Sequence, residues 1–154
     1  MSYNYAPEIE ASGFGFTVLK PISKRYSAGF SYDHYFSQQV VGNEPFFARR
    51  YHHRVWMSSL FVRAEAVQWR SIQLYGKAGF LYHNESGNGT VTTFNDVSPY
   101  QATTGWFQLD DHTFSMVLGG GVEWVRYLRL FAEPNLLLID PLQFTISTGI
   151  RIPL

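Results

Sequence analysis

Between residues 142 and 152 the chain alternates with a period of two. Leu142, Phe144, Ile146, Thr148, Ile150 and Ile152 fall on one face, and Gln143, Thr145, Ser147, Gly149 and Arg151 on the other. This is the pattern of a strand with one apolar and one polar side. A tilted strand of about 9–11 residues crosses the hydrocarbon core of a bilayer, so length and pattern together point to a membrane-spanning wall. The rhythm recurs along the chain. Residues 9–20 set Phe14, Phe16 and Val18 against Gly13, Gly15 and Thr17, and residues 25–37 set Tyr26, Phe30 and Tyr32 against Gly29, Ser31 and Asp33. Over 51–67 we place Trp56, Leu60 and Val62 outward, which turns Arg63 and Glu65 inward. Residues 71–83 oppose Leu74, Ala78 and Phe80 to Gln73, Tyr75 and Lys77, and 112–125 oppose Phe114, Met116 and Trp124 to Ser115, Gly119 and Glu123. A sixth segment opposes Leu128, Leu130, Ala132 and Leu136 to Arg129, Phe131, Glu133 and Asn135.

The connections sort by length. Those at 21–24, 67–70 and 126–127 are short, whereas 38–50 and 84–111 are long; only Asp140-Pro141 is a short link on the long side. Short turns at one end and long loops at the other describe an antiparallel up-and-down transmembrane β-barrel. The whole chain, 1–154, reads as one domain, with 84–111 as a long extracellular loop containing short strands near 90–94 and 104–109. Trp69, Trp124 and Tyr127 near the short turns, and Tyr51, Tyr82, Trp106 and Phe107 towards the long loops, suit interfacial belts. Seven strands are evident, but single-chain bacterial barrels have even numbers, so about eight are expected. Residues 1–8 read as too short and too interrupted by Pro7 to supply the last. A truncated chain, a strand from another chain, or part of 84–111 entering the wall would each complete the count.

Composition narrows the class. The 154 residues hold 12 basic and 12 acidic side chains, so no nucleic-acid footprint shows. Charged residues are only 16% and aromatics 18%, a balance suited to an outer surface that meets lipid. Cysteine is absent, which excludes disulfides and thiolate chemistry. No apolar run is long enough for a transmembrane helix. The first residues lack the form of a secretory signal, so the chain reads as a mature form with an added Met, a fragment, or a protein that is not exported.

The inward phase gathers Asp33, Glu65, Glu123 and Glu133 against Arg63, Lys77, Arg129 and Arg151. An eight-stranded barrel has an interior just wide enough for side chains to fill, and charges there need partners. The balanced set predicts an interior ion-pair network that closes the lumen. Inward glycines such as Gly29, Gly79, Gly119 and Gly121 would make room for the long side chains. Catalytic sets are missing: no His-x-Ser pair occurs, and His112 and Ser115 fall on opposite faces. His52 and His53 likewise diverge, and Asp96, Asp110 and Asp111 lack the spacing of a calcium loop. The chain is therefore read as non-enzymatic, with no metal and no cofactor. Arg49, Arg50 and Arg54 form a basic rim near the long loops, and their guanidinium groups suit the phosphates of lipopolysaccharide.

Several stretches resemble a known family: Ser12-Gly13-Phe14-Gly15-Phe16 through Ala28-Gly29-Phe30, then Leu74-Tyr75-Gly76-Lys77-Ala78-Gly79, Gly119-Gly120-Gly121-Val122-Glu123-Trp124, Leu130-Phe131-Ala132-Glu133-Pro134, and Thr148-Gly149-Ile150-Arg151-Ile152. In order and spacing the chain is similar to the small outer-membrane β-barrel proteins of Bacteroidota, akin to the OmpA/OmpX-type barrels. The resemblance implies a structural or interaction component in the outer membrane of a Gram-negative bacterium. Its partners would be outer-membrane lipid, lipopolysaccharide and other envelope proteins. It also implies that the segment beginning near residue 9 is the second of eight strands. The family closes on an aromatic residue, whereas this chain ends Ile152-Pro153-Leu154. Two other readings stay open: a lipocalin-like barrel carrying a small apolar ligand, and a narrow channel.

Overall fold

The computed structural model describes residues 1–6, 11–44, 47–94, 102–126 and 129–151, with the backbone alone at 37–40, 42–44, 47 and 49. Tyr127, Leu128, Asp96 and the 152–154 end, all singled out above, lie outside the described residues. Eight antiparallel strands close into an up-and-down barrel: β1 (Ser2–Ala6), β2 (Ala11–Pro21), β3 (Tyr26–Glu44), β4 (Phe47–Trp69), β5 (Ile72–Phe94), β6 (Ala102–Val125), β7 (Arg129–Leu137) and β8 (Gln143–Arg151). Each strand pairs with its neighbours in sequence, and β1 closes the ring on β8.

The eighth strand is the feature the sequence pattern missed. Ser2–Ala6 pairs with Ala11–Gly15 on one side and with Ile146–Gly149 on the other. Five residues suffice because both edges are satisfied at once, and Asn4 and Ala6 turn inward while Tyr3 and Tyr5 face out.

The second correction concerns the long connections. The β5–β6 ladder runs unbroken from Ile72↔Trp124 to Phe94↔Ala102, so 84–94 and 102–111 are paired strand. Likewise β3 and β4 pair out to Glu44↔Phe47, with one bulge between Tyr35 and Gln38. The Asn/Gly/Ser-rich sequence suggested a loop, but its threonines favour strand. At the inward-facing row Tyr51↔Gly89↔Phe107 the two rings meet edge-on at 5.4 Å across the glycine. A Cβ on Gly89 would collide with Tyr51, so the absence of a side chain here is what lets the rings close. The barrel thus rises on one side into a four-stranded sheet formed by β3 to β6.

The faces follow the alternation. Outward rows read Val62↔Ala78↔Leu118 and Leu60↔Phe80↔Met116, then Ser58↔Tyr82↔Phe114. On the opposite wall Leu130↔Ile150 and Leu136↔Phe144 continue the apolar band. Above it the rings of Phe16, Tyr32, Trp56, Tyr82 and Phe114 lie within 6 Å of one another in succession.

Candidate functional site

The interior divides into two layers. Towards the short turns the inward phase of β4 to β8 brings six of the eight predicted charges together. Glu123 is fully buried and receives Arg63 Nη2 at 2.7 Å and Arg151 Nη1 at 3.0 Å, with Arg129 Nη1 further off at 3.6 Å. Glu133 takes Arg151 Nη2 at 2.9 Å, and Lys77 donates to its other oxygen. Arg151 therefore bridges the two carboxylates. Arg129 and Arg151 stand directly opposite each other across the β7–β8 ladder, a like-charge pair that is tolerable because both lean towards Glu123.

Neutral residues complete the layer, and the sequence reading had placed some of them inward without giving them a role. Tyr75 Oη donates to Glu133 at 2.7 Å and accepts from Arg151 Nη1 at 3.1 Å. The Arg63 guanidinium lies over the Tyr75 ring at 3.8 Å and donates to Gln73 Oε1 at 3.2 Å. Arg151 also covers the Phe131 ring at 3.9 Å. Their inward phase was the only signal, and hydrogen bonding partners cannot be read from phase alone. Gly121 fits this arrangement closely: a Cβ there would stand 2.5 Å from the Tyr75 hydroxyl.

Two of the predicted eight stay outside the network. Asp33 faces inward but is held by Asn4 Nδ2 at 2.6 Å and by the Ser31 hydroxyl at 3.4 Å, with no ion pair among the described residues. It stands beside Gly15 on the β2–β3 side of the barrel, where β1 supplies Asn4 in place of a cation. Glu65 sits at the β4 bulge, half-buried at the short-turn mouth, and also makes no ion pair among the described residues. It keeps its register opposite Tyr75, and the bulge begins only after it.

Above the ionic layer the lumen holds an apolar cluster, which the expectation of a polar interior did not include, with His83 and Ser59 buried beside it. Tyr35, Val55, Met57, Leu81, Val117, Leu137 and Ile139, with Ala6 and Ala11, form one buried cluster. Higher still, on the inner face of the raised sheet, His53 Nε2 and Glu85 Oε1 approach to 2.6 Å. On the outer face of that sheet Arg50, His52 and Arg54 form one exposed column above Trp56. The cross-strand rows continue as Arg54↔Ser86↔Asp110 and His52↔Asn88↔Gln108, around a shallow hollow of about 280 Å³. The Arg49 side chain lies outside the described residues. His112 joins this surface, stacked on Tyr82 and within 2.6 Å of Asn84 Nδ2. His112 and Ser115 point to opposite faces, and no metal-holding group of His, Asp or Glu occurs among the described residues.

No protein-family model matches the sequence, and neither does any curated protein. Solved structures match the fold. The N-terminal β-barrel domain of Pseudomonas aeruginosa OprF superposes with a TM-score of 0.62 at 12% identity, covering 97% of this chain and 90% of that one. The Yersinia pestis attachment invasion locus protein, Ail, gives a TM-score of 0.53 at 12% identity over 97% of this chain and 89% of that one. At this identity the likeness establishes the architecture: an all-β, eight-stranded closed barrel of the small outer-membrane kind.

Proposed function

We propose that this chain is a non-enzymatic barrel of a Gram-negative outer membrane, acting as a structural or interaction component of the envelope. One observation carries the reading: the wall is apolar outside and charged inside. Leu60, Phe80 and Phe114 are 64%, 73% and 82% exposed, while Arg63, Glu123 and Glu133 are 3%, 0% and 4% exposed. In water this arrangement would be inverted, and in a bilayer it is the favourable one. The likeness to OprF and Ail supports the same location, and the motifs quoted above support a Bacteroidota-type source. The ionic layer and the apolar layer above it favour a closed lumen over both the channel and the ligand carrier, since both layers are filled by the protein's own side chains.

The test is behavioural. The protein should be monodisperse only with detergent and should give no unitary conductance in planar bilayers. Monodispersity in plain buffer would overturn the reading, and steady unitary currents would overturn the closed lumen. Contact with lipopolysaccharide is a second element, favoured by the exposed Arg50–His52–Arg54 column just above the aromatic band. Replacing Arg49, Arg50 and Arg54 by alanine should lower lipopolysaccharide retention during purification, and equal retention would remove the contact.

A further inference from the structure

The outer face of the raised sheet carries a polar patch with one isolated ring. Along β4 the outward residues above Trp56 are Arg54, His52 and Arg50. On β5 and β6 their rows are completed by Ser86 and Asp110, by Asn88 and Gln108, and by Thr90 and Trp106. Arg50, Arg54, Asn88 and Gln108 are exposed, and Trp106 is 85% exposed. None of these five side chains has a hydrogen-bond, ion-pair or ring partner among the described residues. Asp110 lies against His112 at 3.5 Å and against neither arginine. The hollow of about 280 Å³ between His52, Arg54, Asn88 and Gln108 is close to the size of about 300 Å³ at which small-ligand sites begin.

Height separates most of this patch from the lipid. Trp56 and Phe114 belong to the aromatic band, and the headgroup layer above a hydrocarbon core is only about 5–8 Å deep. Arg54 lies about 7 Å above Trp56 along the strand, within that layer. Arg50 lies about 20 Å above Trp56, and Trp106 about 27 Å above Phe114. A strand tilt of about 45° still leaves both beyond the headgroups, so Trp106 is too high to anchor the barrel in the interface. The side chains also differ in chemistry. Guanidinium groups suit phosphate and carboxylate. The amides of Asn88 and Gln108 donate and accept at once, which is what a hydroxyl needs. An indole presents a flat, electron-rich face to which the C–H side of a sugar ring is attracted. A bare lipid phosphate would engage the arginines and leave the amides and the indole idle. A protein partner would find too little apolar surface here for an interface core.

Resting on the lipopolysaccharide contact proposed above, we infer that this patch holds the phosphate- or carboxylate-bearing sugars that lipopolysaccharide extends above its lipid. Arg54 takes the anionic group nearest the membrane, and Arg50 takes one further along the sugar chain. Asn88 and Gln108 bond ring hydroxyls in the hollow between them, and Trp106 stacks on a ring at the upper end. The raised sheet is then the part of the barrel that grips the membrane's own sugar layer.

The experiment titrates the detergent-solubilised 154-residue protein with whole lipopolysaccharide, with its lipid A, and with the core oligosaccharide released from it by mild acid. Calorimetry and tryptophan fluorescence read the binding. The oligosaccharide should bind saturably and change the fluorescence, and Trp106→Ala should abolish that change. Trp106→Ala, and Asn88→Ala combined with Gln108→Ala, should each weaken oligosaccharide binding at least about tenfold, with the fold intact by circular dichroism. No saturable binding of the oligosaccharide, or equal binding by Trp106→Ala, overturns the inference. Equal binding of dextran sulfate also overturns it and makes the patch a general polyanion surface. Lipid A held as tightly as whole lipopolysaccharide removes the sugar site alone and leaves the phosphate contact standing. Failure to hold either one removes the contact on which the sugar site rests.

Discussion

The lower and upper halves of the lumen solve the same packing problem with different materials. Near the short turns, two carboxylates hold three arginines and a lysine. Above them, Val55, Met57, Leu81 and Val117 meet without a charge. Strands β4 to β7 line both halves in the same inward phase. A closed barrel therefore constrains which side chains enter, and leaves open whether volume or charge fills the space. The ionic half is cohesive only as a set, since each arginine depends on a shared carboxylate. The apolar half is cohesive residue by residue.

This contrast can be tested by removing one member from each half. Glu123→Ala should have the largest effect, a loss of about 3–5 kcal/mol, because it orphans buried guanidinium groups. Urea unfolding in micelles measures it, and an unchanged midpoint would mean that water replaces the carboxylate. Leu81→Ala should cost about 2–5 kcal/mol through the cavity it leaves. Gly121→Ala should cost about 1–3 kcal/mol by forcing the Tyr75 hydroxyl away from Glu133. Adding Tyr75→Phe should recover part of that loss, and a strictly additive double variant would count against the contact.

The smallest effect belongs to the raised sheet, outside both layers. The hydrogen bond from His53 holds the Glu85 carboxyl below the ordinary carboxylate range. A group with a depressed folded pKa contributes stability above its unfolded value and loses it as pH falls through the folded value. The His53–Glu85 contribution should thus be present at neutral pH and vanish in acid. Because the pair is partly solvated, His53→Ala should cost only about 0.2–1 kcal/mol at neutral pH. Stability profiles of the two proteins that stay parallel into the acid range would remove the pair from the account.

Much of the wall was legible because a barrel wall with unlike faces imposes a strict alternation. The outward placement of Phe114, Leu130, Phe144 and Ile146, and the inward placement of Arg63, Glu123, Glu133 and Arg151, follow from period two alone. What failed was length and composition used as a proxy for strand. Ser2–Ala6 was too short to be recognised, because a five-residue strand is stabilised by two neighbouring edges that the sequence does not display. Gly87, Asn88 and Gly89 looked like a loop, because the rings that pack across Gly89 come from Tyr51 and Phe107, far along the chain.

The sequence by itself determined the faces of the strands, the ends that carry the short and the long connections, and the inward phase of Arg63, Glu123, Glu133 and Arg151. Period-two alternation is local, and a wall with an apolar outer face and a charged inner face requires it at every position. Only the tertiary structure decided that Arg151 bridges Glu123 and Glu133, that Asp33 is answered by Asn4, and that an apolar cluster fills part of the upper lumen. Those outcomes depend on the register between strands distant in sequence, and register is set by closing the ring.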